Sequence, residues 1–229
     1  MNFVDSNHNQ MLNMNDVINR KRVEQDLDNI VAKNEIRNAV KLNKLLNETF
    51  NVKSEPMFFN GKLDAKTVFV MLNPGSPKDI FPSDDVLNKY EKASTRYNNY
   101  LDYWINYGSK MTKVDNFDLK QAAFLYSFSN TGIALPKDFL NKSDEVRLEA
   151  QRNVLLQKLQ IELIPYGSPT FKNHFGSLKE TRLKLESISS YVEGVLDAII
   201  AHKRDQIIFG SGQFYNILKV CGNEKSIPV

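Results

Sequence analysis

Cysteine is nearly absent from this sequence, which has a single one, Cys221, among its 229 residues. One cysteine excludes a disulfide within the chain and a zinc cage built from cysteines, and it is typical of a reducing compartment. The histidines His8, His174 and His202 lie far apart and show no metal-ligand spacing. We therefore expect no cofactor and no metal, and zinc-dependent deaminase chemistry is disfavoured because its paired cysteines are missing.

Long apolar runs are also missing. No stretch approaches the roughly 18 residues that a membrane span requires. The polar start MNFVDSNHNQ lacks the basic and then apolar order of a signal peptide. The sequence therefore favours a cytoplasmic protein that has no membrane partner.

A strong excess of one charge is the third absence. The 30 Lys and Arg residues against 27 Asp and Glu residues leave a net charge of only +3. The field of the whole protein is therefore weakly attractive to polyanions, and any basic surface must be local. Walker and dinucleotide glycine patterns are missing too, which argues against the familiar hydrolases of nucleotides and small molecules.

What the sequence does contain is enough apolar residues, 41%, for one sizeable core, although the chain is short for two cores. We predict an α/β domain over residues 51–229, preceded by an N-terminal helical extension over residues 1–50. Apolar residues between Asn15 and Glu48 recur at mostly helical spacing, which predicts one or two amphipathic helices. Further helices are predicted from Ser143 to Gln157 and from Ser177 to His202, while Leu119 to Ser129 is either helix or strand.

Three segments have the pattern of buried strands. Thr67 to Leu72 is apolar without alternation, which indicates a strand covered on both faces, as in a parallel sheet. LQIELIPYGSP and DQIIFGSGQFYNIL each contain another strand, and FFNGKL carries an Asn-Gly pair that predicts a hairpin. With helices between the strands, the pattern predicts a three-layer α/β/α sandwich with a central, mostly parallel sheet.

Each of these strands stops at Pro or Gly beside polar residues, in Asn73-Pro74-Gly75-Ser76, Pro165-Tyr166-Gly167-Ser168 and Gly210-Ser211-Gly212. In open α/β sheets, ligands bind beyond the carboxyl ends of the strands, so the three ends could form one pocket. The alternative is that Pro and Gly only terminate the strands.

The segment VFVMLNPGSP resembles the first motif of the uracil-DNA glycosylase superfamily, whose mismatch-specific and single-strand-selective branches end a strand in Gly-x-Asn-Pro-Gly. Met71 replaces the usual glycine, so the match is Leu72-Asn73-Pro74-Gly75. A later strand of the single-strand-selective branch reads Asn-x-x-Pro, and Glu162 takes the place of that asparagine. IIFGSGQFYNIL is similar to the penultimate strand of the family, and the resemblance covers roughly Lys66 to Leu218.

The resemblance implies a DNA glycosylase that extrudes a base and cleaves its N-glycosidic bond by water attack. In that role Asn73 would orient the water, although an asparagine before proline also bonds its own turn. Glu162 would read the base. An ionised carboxylate only accepts hydrogen bonds, which suits the amine of a cytosine-type base, while uracil requires a protonated Glu162. We therefore expect a cytosine-type or modified pyrimidine, in repair or defence against phage; alternatively, Glu162 pairs with Lys or Arg.

The candidate substrate-binding residues are Leu72, Pro74, Gly75, Ser76, Phe81, Glu162, Tyr166, Ser168 and Ser211. The family also stacks an aromatic on the base, for which Phe81 and Tyr90 are the candidates. Its last motif, His-Pro-Ser or Asn-Pro-Ser, does not follow Ile208. The alternative function is therefore a catalytically inactive module of glycosylase fold that binds DNA or a protein.

Basic and aromatic residues indicate where DNA, single- or double-stranded, could bind. The candidates for the phosphates are Lys172, His174, Lys179 and Arg182, together with Lys184, unless this run is only a solvated helix face. The stripe of Tyr97, Tyr100, Trp104 and Tyr107 either stacks on bases or packs in the core. The N-terminal helices dock on the domain, contact DNA or serve a protein partner or self-association, and the sequence leaves these alternatives open.

Overall fold

A computed structural model describes the protein over residues 20–76, 78–128, 138–169 and 177–222. In these residues the fold is mixed α/β. The helices are α1 (Arg20–Val31), α2 (Arg37–Leu46), α3 (Asp84–Leu87), α4 (Ala93–Ile105), α5 (Tyr107–Lys110), α6 (Asn116–Phe128), α7 (Asp144–Leu155), α8 (Leu178–Ile200) and α9 (Gln213–Gly222). None of the described helices is long and apolar enough to cross a membrane.

One sheet holds the strands β1 (Phe59–Gly61), β2 (Thr67–Met71), β3 (Lys158–Glu162) and β4 (Gln206–Phe209) in the order β1-β3-β2-β4. β2 pairs in parallel with β3 on one side and with β4 on the other, and β1 pairs antiparallel with β3. The predicted mixed α/β class and the mostly parallel sheet are therefore confirmed.

The hairpin predicted for FFNGKL is wrong, because β1 pairs with the distant β3. Asn60 and Gly61 lie within β1 and do not form a two-residue turn between neighbouring strands. Gly61 has φ +93°, and a Cβ at this position would overlap the carbonyl oxygen of Lys158. The glycine is therefore needed for a close approach of two backbones, which Asn-Gly in a sequence does not distinguish from a turn.

The two faces of the sheet carry different clusters of buried side chains. Val68, Val70, Leu159 and Ile161 belong to a large cluster that also includes residues of α1, α2, α4, α8 and α9. Phe69 belongs to a smaller cluster with residues of α6 and α7. Alternate residues of β2 thus enter opposite clusters, as the apolar run Thr67 to Leu72 predicts for a strand that is covered on both faces.

The predicted N-terminal extension contributes to the large cluster over its described part. Val23, Leu27 and Ile30 of α1 are fully buried there, and so are Ile36 and Ala39 at the start of α2. Of the alternatives for the N-terminal helices, the described residues therefore show docking on the α/β domain. The segment Leu119 to Ser129, which the sequence leaves open between helix and strand, is helical up to Phe128.

Candidate functional site

The first and second predicted strand ends lie side by side. Residues 72–76 follow β2 and residues 163–168 follow β3, and their backbones continue the parallel pairing beyond the sheet. The Ser168 amide donates a hydrogen bond to the Pro74 carbonyl at 3.2 Å, and the Ser76 amide donates to the Ser168 carbonyl at 3.3 Å. Two of the three predicted ends therefore form one structure.

Gly167 makes this close approach possible. A Cβ at Gly167 would lie 2.6 Å from the Cβ of Ser76 and 3.2 Å from the amide nitrogen of the Asn51 side chain. The backbone of Asn51 also donates to the Gly167 carbonyl at 2.7 Å. The chain after α2 is thus hydrogen-bonded to the strand ends.

Asn73 is held by the amino group of its side chain. Its Nδ2 atom lies 3.0 Å from the Ser168 hydroxyl, 3.1 Å from the Pro74 carbonyl and 3.4 Å from the Tyr166 carbonyl. The bond to Pro74 lies within the turn that Asn73 begins, and a bond of this kind is the alternative role that the sequence predicts for Asn73. The amide oxygen has no hydrogen-bond partner within the described residues, so it remains able to accept a bond from a water.

The third strand end lies against Met71. The Gly210 amide donates to the Val70 carbonyl at 2.8 Å. A Cβ at Gly210 would come within 2.6 Å of Met71 Cε, so the thioether occupies the space above this glycine. The Ser211 hydroxyl accepts a hydrogen bond from the Gln213 amide at 3.2 Å, which places it at the beginning of α9.

Other candidate side chains lie in or against the core. Leu72 and Phe81 are half-buried and pack against the large cluster. Tyr166 is buried, and its hydroxyl donates to Asp26 Oδ2 of α1 at 2.7 Å. Tyr90, the other candidate for stacking, is buried and donates its hydroxyl to Glu55 at 2.5 Å. Tyr166 and Tyr90 therefore serve internal hydrogen bonds.

A ladder of buried polar side chains follows β3 on the face toward α6. Lys158 Nζ donates to Gln160 Oε1 at 2.8 Å and also to Gln121 Oε1. Gln121 Nε2 donates to Gln160 Oε1 at 2.9 Å, and Gln160 Nε2 donates to Glu162 Oε1 at 2.5 Å. Asp118 of α6 forms an ion pair with Lys158 at 3.9 Å. These five residues form the β3 ladder.

The β3 ladder ends at an unpartnered atom. Glu162 is 3% exposed and its Oε2 atom is buried, with no hydrogen-bond partner among the described residues. Burial raises the pKa of Glu162 to about 7, although the Gln160 bond and the nearby Lys158 charge lower it in part. Burial lowers the pKa of Lys158 to about 8, which Asp118 and Glu162 partly oppose.

The sequence pattern indicates a role for Glu162 but not for the other four members of the β3 ladder. The signal is present, since Lys158, Gln160 and Glu162 alternate with Leu159 and Ile161. Such alternation normally predicts a polar face in water. Here α6 and α7 contribute to the cluster on that face.

The predicted DNA-binding residues are only partly described. Lys179 and Arg182 are exposed on the first turns of α8, while Lys172 and His174 lie outside the described residues. The aromatic stripe is in the core, because Tyr97, Tyr100 and Trp104 are buried and Tyr107 packs against the large cluster. Core packing, one of the two alternatives for the stripe, is therefore confirmed.

Within the described ranges, no group of three or more His, Cys, Asp and Glu side chains is arranged to hold a metal ion. Comparison of the chain with family models, with curated proteins and with solved structures gives no significant match.

Proposed function

We propose that this protein is a DNA glycosylase-like enzyme that excises a pyrimidine base by water attack on the N-glycosidic bond. It would act in DNA repair or in defence against phage DNA that carries modified bases. We also propose a three-layer α/β/α architecture, since residues of β2 enter two clusters that receive different helices. The resemblance of Leu72-Asn73-Pro74-Gly75 to the superfamily's first motif is the starting point of this proposal.

The observation that carries the proposal is the way Asn73 is fixed. Three acceptors surround its amino group, and its oxygen has none of these contacts. An amide oxygen held in this way can orient a water toward the sugar carbon. Cleavage of the bond places positive charge on the sugar and negative charge on the departing base, so positioning and charge stabilisation contribute most of the catalysis.

Glu162 is the proposed reader of the base. It is the last residue of β3 and pairs with Met71, the last residue of β2, two residues before Asn73. Glu162 and Asn73 therefore both lie where the two parallel strands end, which is the part of an α/β sheet where ligands bind. The Oε2 atom of Glu162 is buried and has no partner in the part of the chain that the structure describes, so it would gain a hydrogen bond from a ligand, and such a bond is strong at a buried site.

Base release from labelled oligonucleotides tests this function. Wild type, Asn73→Ala and the control Asn99→Ala are incubated with single- and double-stranded DNA containing uracil, cytosine or modified cytosines, and alkali then cleaves abasic sites. Asn99 is an exposed amide on α4 and serves as the matched control. We expect strand breaks from wild type and Asn99→Ala, and at least about 100-fold fewer from Asn73→Ala. Breaks from Asn73→Ala at the wild-type rate would refute the role of Asn73.

The second candidate is an inactive module of the same fold that binds DNA or a protein. It is favoured by Met71, whose side chain lies against Gly210 where the superfamily has a smaller residue. Fluorescence anisotropy with a labelled single strand, measured at increasing salt, separates the two functions. Salt-dependent binding by wild type without release of any base would support the inactive module.

A further inference from the structure

The direction of every hydrogen bond in the β3 ladder follows from Lys158. An ammonium group has only donors, so the oxygens of Gln121 and Gln160 must face it. The amino group of Gln160 is then turned toward Glu162, where it donates to Oε1. Oε1 is thus occupied as an acceptor, and only Oε2 of Glu162 is left to carry a proton or to accept a bond.

The charges of the β3 ladder also indicate that Oε2 of Glu162 carries a proton. The β3 ladder contains one cation, Lys158, and two carboxyl groups, Asp118 and Glu162, so it is neutral only when one carboxyl group is protonated. Asp118 has direct contact with Lys158 at 3.9 Å, whereas Glu162 is reached through Gln160. Direct contact with a cation favours the ionised form, and burial without one favours the neutral form. The proton therefore belongs on Glu162.

We infer that the β3 ladder makes Glu162 a base reader whose proton selects the substrate. This inference rests on the proposed function. Neutral Glu162 donates from Oε2 to the 4-oxo group of a uracil-type base, and ionised Glu162 accepts from the 4-amino group of a cytosine-type base. Gln160, Gln121 and Lys158 are positioning residues that act through Glu162.

The surroundings of Glu162 support a change of state near neutral pH. Burial raises its pKa to about 7, so both forms are populated there. Among the described residues, the charge that acts on Glu162 is that of Lys158 on its own strand, while Asp118 on α6 and Asp115 before α6 act on Lys158. On the other side, Arg22 of α1 and Tyr191 of α8 line a cavity together with Glu162. The carbonyl of Phe58, the residue before β1, accepts a hydrogen bond from the Glu162 backbone amide at 3.0 Å, and this bond does not involve the carboxyl group.

The first experiment measures the carboxyl carbon of Glu162 by NMR as the pH is changed, in the full chain and without any substrate. We expect a midpoint near 7 in wild type and a higher midpoint in Gln160→Met, which removes the donor to Oε1. Gln157→Met, at an exposed glutamine that precedes β3, is the control and keeps the wild-type midpoint. A wild-type midpoint below about 5 would overturn the inference, even if Gln160→Met failed to fold.

The second experiment measures initial rates of release from uracil- and cytosine-containing oligonucleotides between about pH 5.5 and about pH 8.5. The ratio of the uracil rate to the cytosine rate should fall about tenfold for each pH unit, because it follows the ratio of neutral to ionised Glu162. In Glu162→Gln, whose amide has no proton to lose, the ratio should not change with pH. If wild type releases bases but the ratio of the uracil rate to the cytosine rate does not change with pH, the inference is overturned and the proposed function remains intact.

Absence of release from every oligonucleotide would overturn the proposed function and, with it, base selection by Glu162. The NMR midpoint would still decide whether the β3 ladder holds a proton on Glu162. The two failures are therefore distinguishable.

Discussion

The β3 ladder joins a cation to a carboxyl group through a glutamine, inside the protein. Lys158 is fully buried, and both Gln121 and Gln160 accept its hydrogen bonds. A buried ammonium is costly unless its donors are used and a carboxylate is near. Asp118 supplies that carboxylate.

Replacement of Lys158 should therefore be more harmful than loss of its packing alone. Lys158→Met keeps the length of the side chain but leaves Asp118 charged and buried, and we expect a loss of about 3–5 kcal/mol in the free energy of unfolding. Chemical denaturation measures it. Adding Asp118→Asn should recover part of the loss, and the exposed Lys120→Met should change stability by less than about 0.5 kcal/mol. Equal losses for Lys158→Met and Lys120→Met would contradict the ion pair.

A second buried carboxyl group should make stability depend on pH. Asp26 accepts hydrogen bonds from the Tyr166 hydroxyl at 2.7 Å and from Asn38 Nδ2 at 2.8 Å, and burial raises its pKa from 3.8 to about 6. The folded state therefore binds this proton more tightly than the unfolded chain. The resulting stability is fully present below pH 3.8 and is lost as the pH rises through about 6.

Asp26→Asn removes this titration. Denaturation of both proteins between about pH 4 and pH 8 should show the variant gaining about 2.5 kcal/mol relative to wild type as the pH rises. Glu162 titrates in both proteins, so the difference isolates Asp26. Asp85→Asn, at an exposed position in α3, is the control and should follow wild type at every pH. A constant difference between Asp26→Asn and wild type would contradict the raised pKa.

At the scale of secondary-structure elements, β1 depends on one glycine. Gly61 has φ +93°, and its neighbours include the carbonyl oxygen of Leu155, which a Cβ would approach to 3.0 Å. The short strand adds an antiparallel edge to a sheet whose other pairs are parallel. An ordinary residue at position 61 would have to adopt a strained backbone and would also push β1 away from β3.

Two glycine substitutions separate this effect from a general response to alanine. Gly61→Ala should lower the free energy of unfolding by at least about 3 kcal/mol, because backbone strain and overlap with Lys158 act together. Gly194→Ala should raise it by about 1 kcal/mol, because this position is inside α8 and a Cβ there meets no atom within 4 Å. Thermal and chemical denaturation measure both. Similar stability for the two variants would show that β1 does not require glycine.

At the scale of the molecule, the described N-terminal helices and the sheet share one hydrophobic cluster. Leu27 and Ile30 of α1 are in the same cluster as Val68 and Leu159 of the strands. The Asp26 bond to Tyr166 also joins α1 to the segment that follows β3. We therefore expect that removal of residues 1–50 would prevent folding of the remainder, because the exposed apolar surface would be large.

Two leucines of these helices provide a milder test. Leu27 is fully buried, and Leu27→Ala should cost about 3 kcal/mol because it leaves a cavity in the shared cluster. Leu45 of α2 is 52% exposed, and Leu45→Ala should change stability by no more than about 0.5 kcal/mol. A single denaturation transition in all three proteins is also expected. An unchanged midpoint for Leu27→Ala would show that α1 does not stabilise the domain.

Several elements were predictable from the sequence because their signals are local. The apolar run from Thr67 marks β2, and the start of α8 follows Ser177, whose side chain forms a capping box with Glu180. The rule that ligands bind beyond the carboxyl ends of parallel strands indicated that Asn73 and the second strand end could lie together. The pairing of β1 with β3 was not predictable, because the two strands are about 100 residues apart in the sequence. The buried position of Tyr166 was not predictable either, because its partner Asp26 is 140 residues away.

The sequence by itself determined the positions of β2, β3 and β4 and which residues carry polar chemistry, because backbone preferences and side-chain periodicity act over a few residues. Only the tertiary structure decided that Lys158, Gln160 and Glu162 are buried on the side toward α6, and that one oxygen of Glu162 has no hydrogen-bond partner among the described residues. Burial and hydrogen-bond completion depend on which helices cover a strand. That covering is a property of long-range packing, which no local pattern encodes.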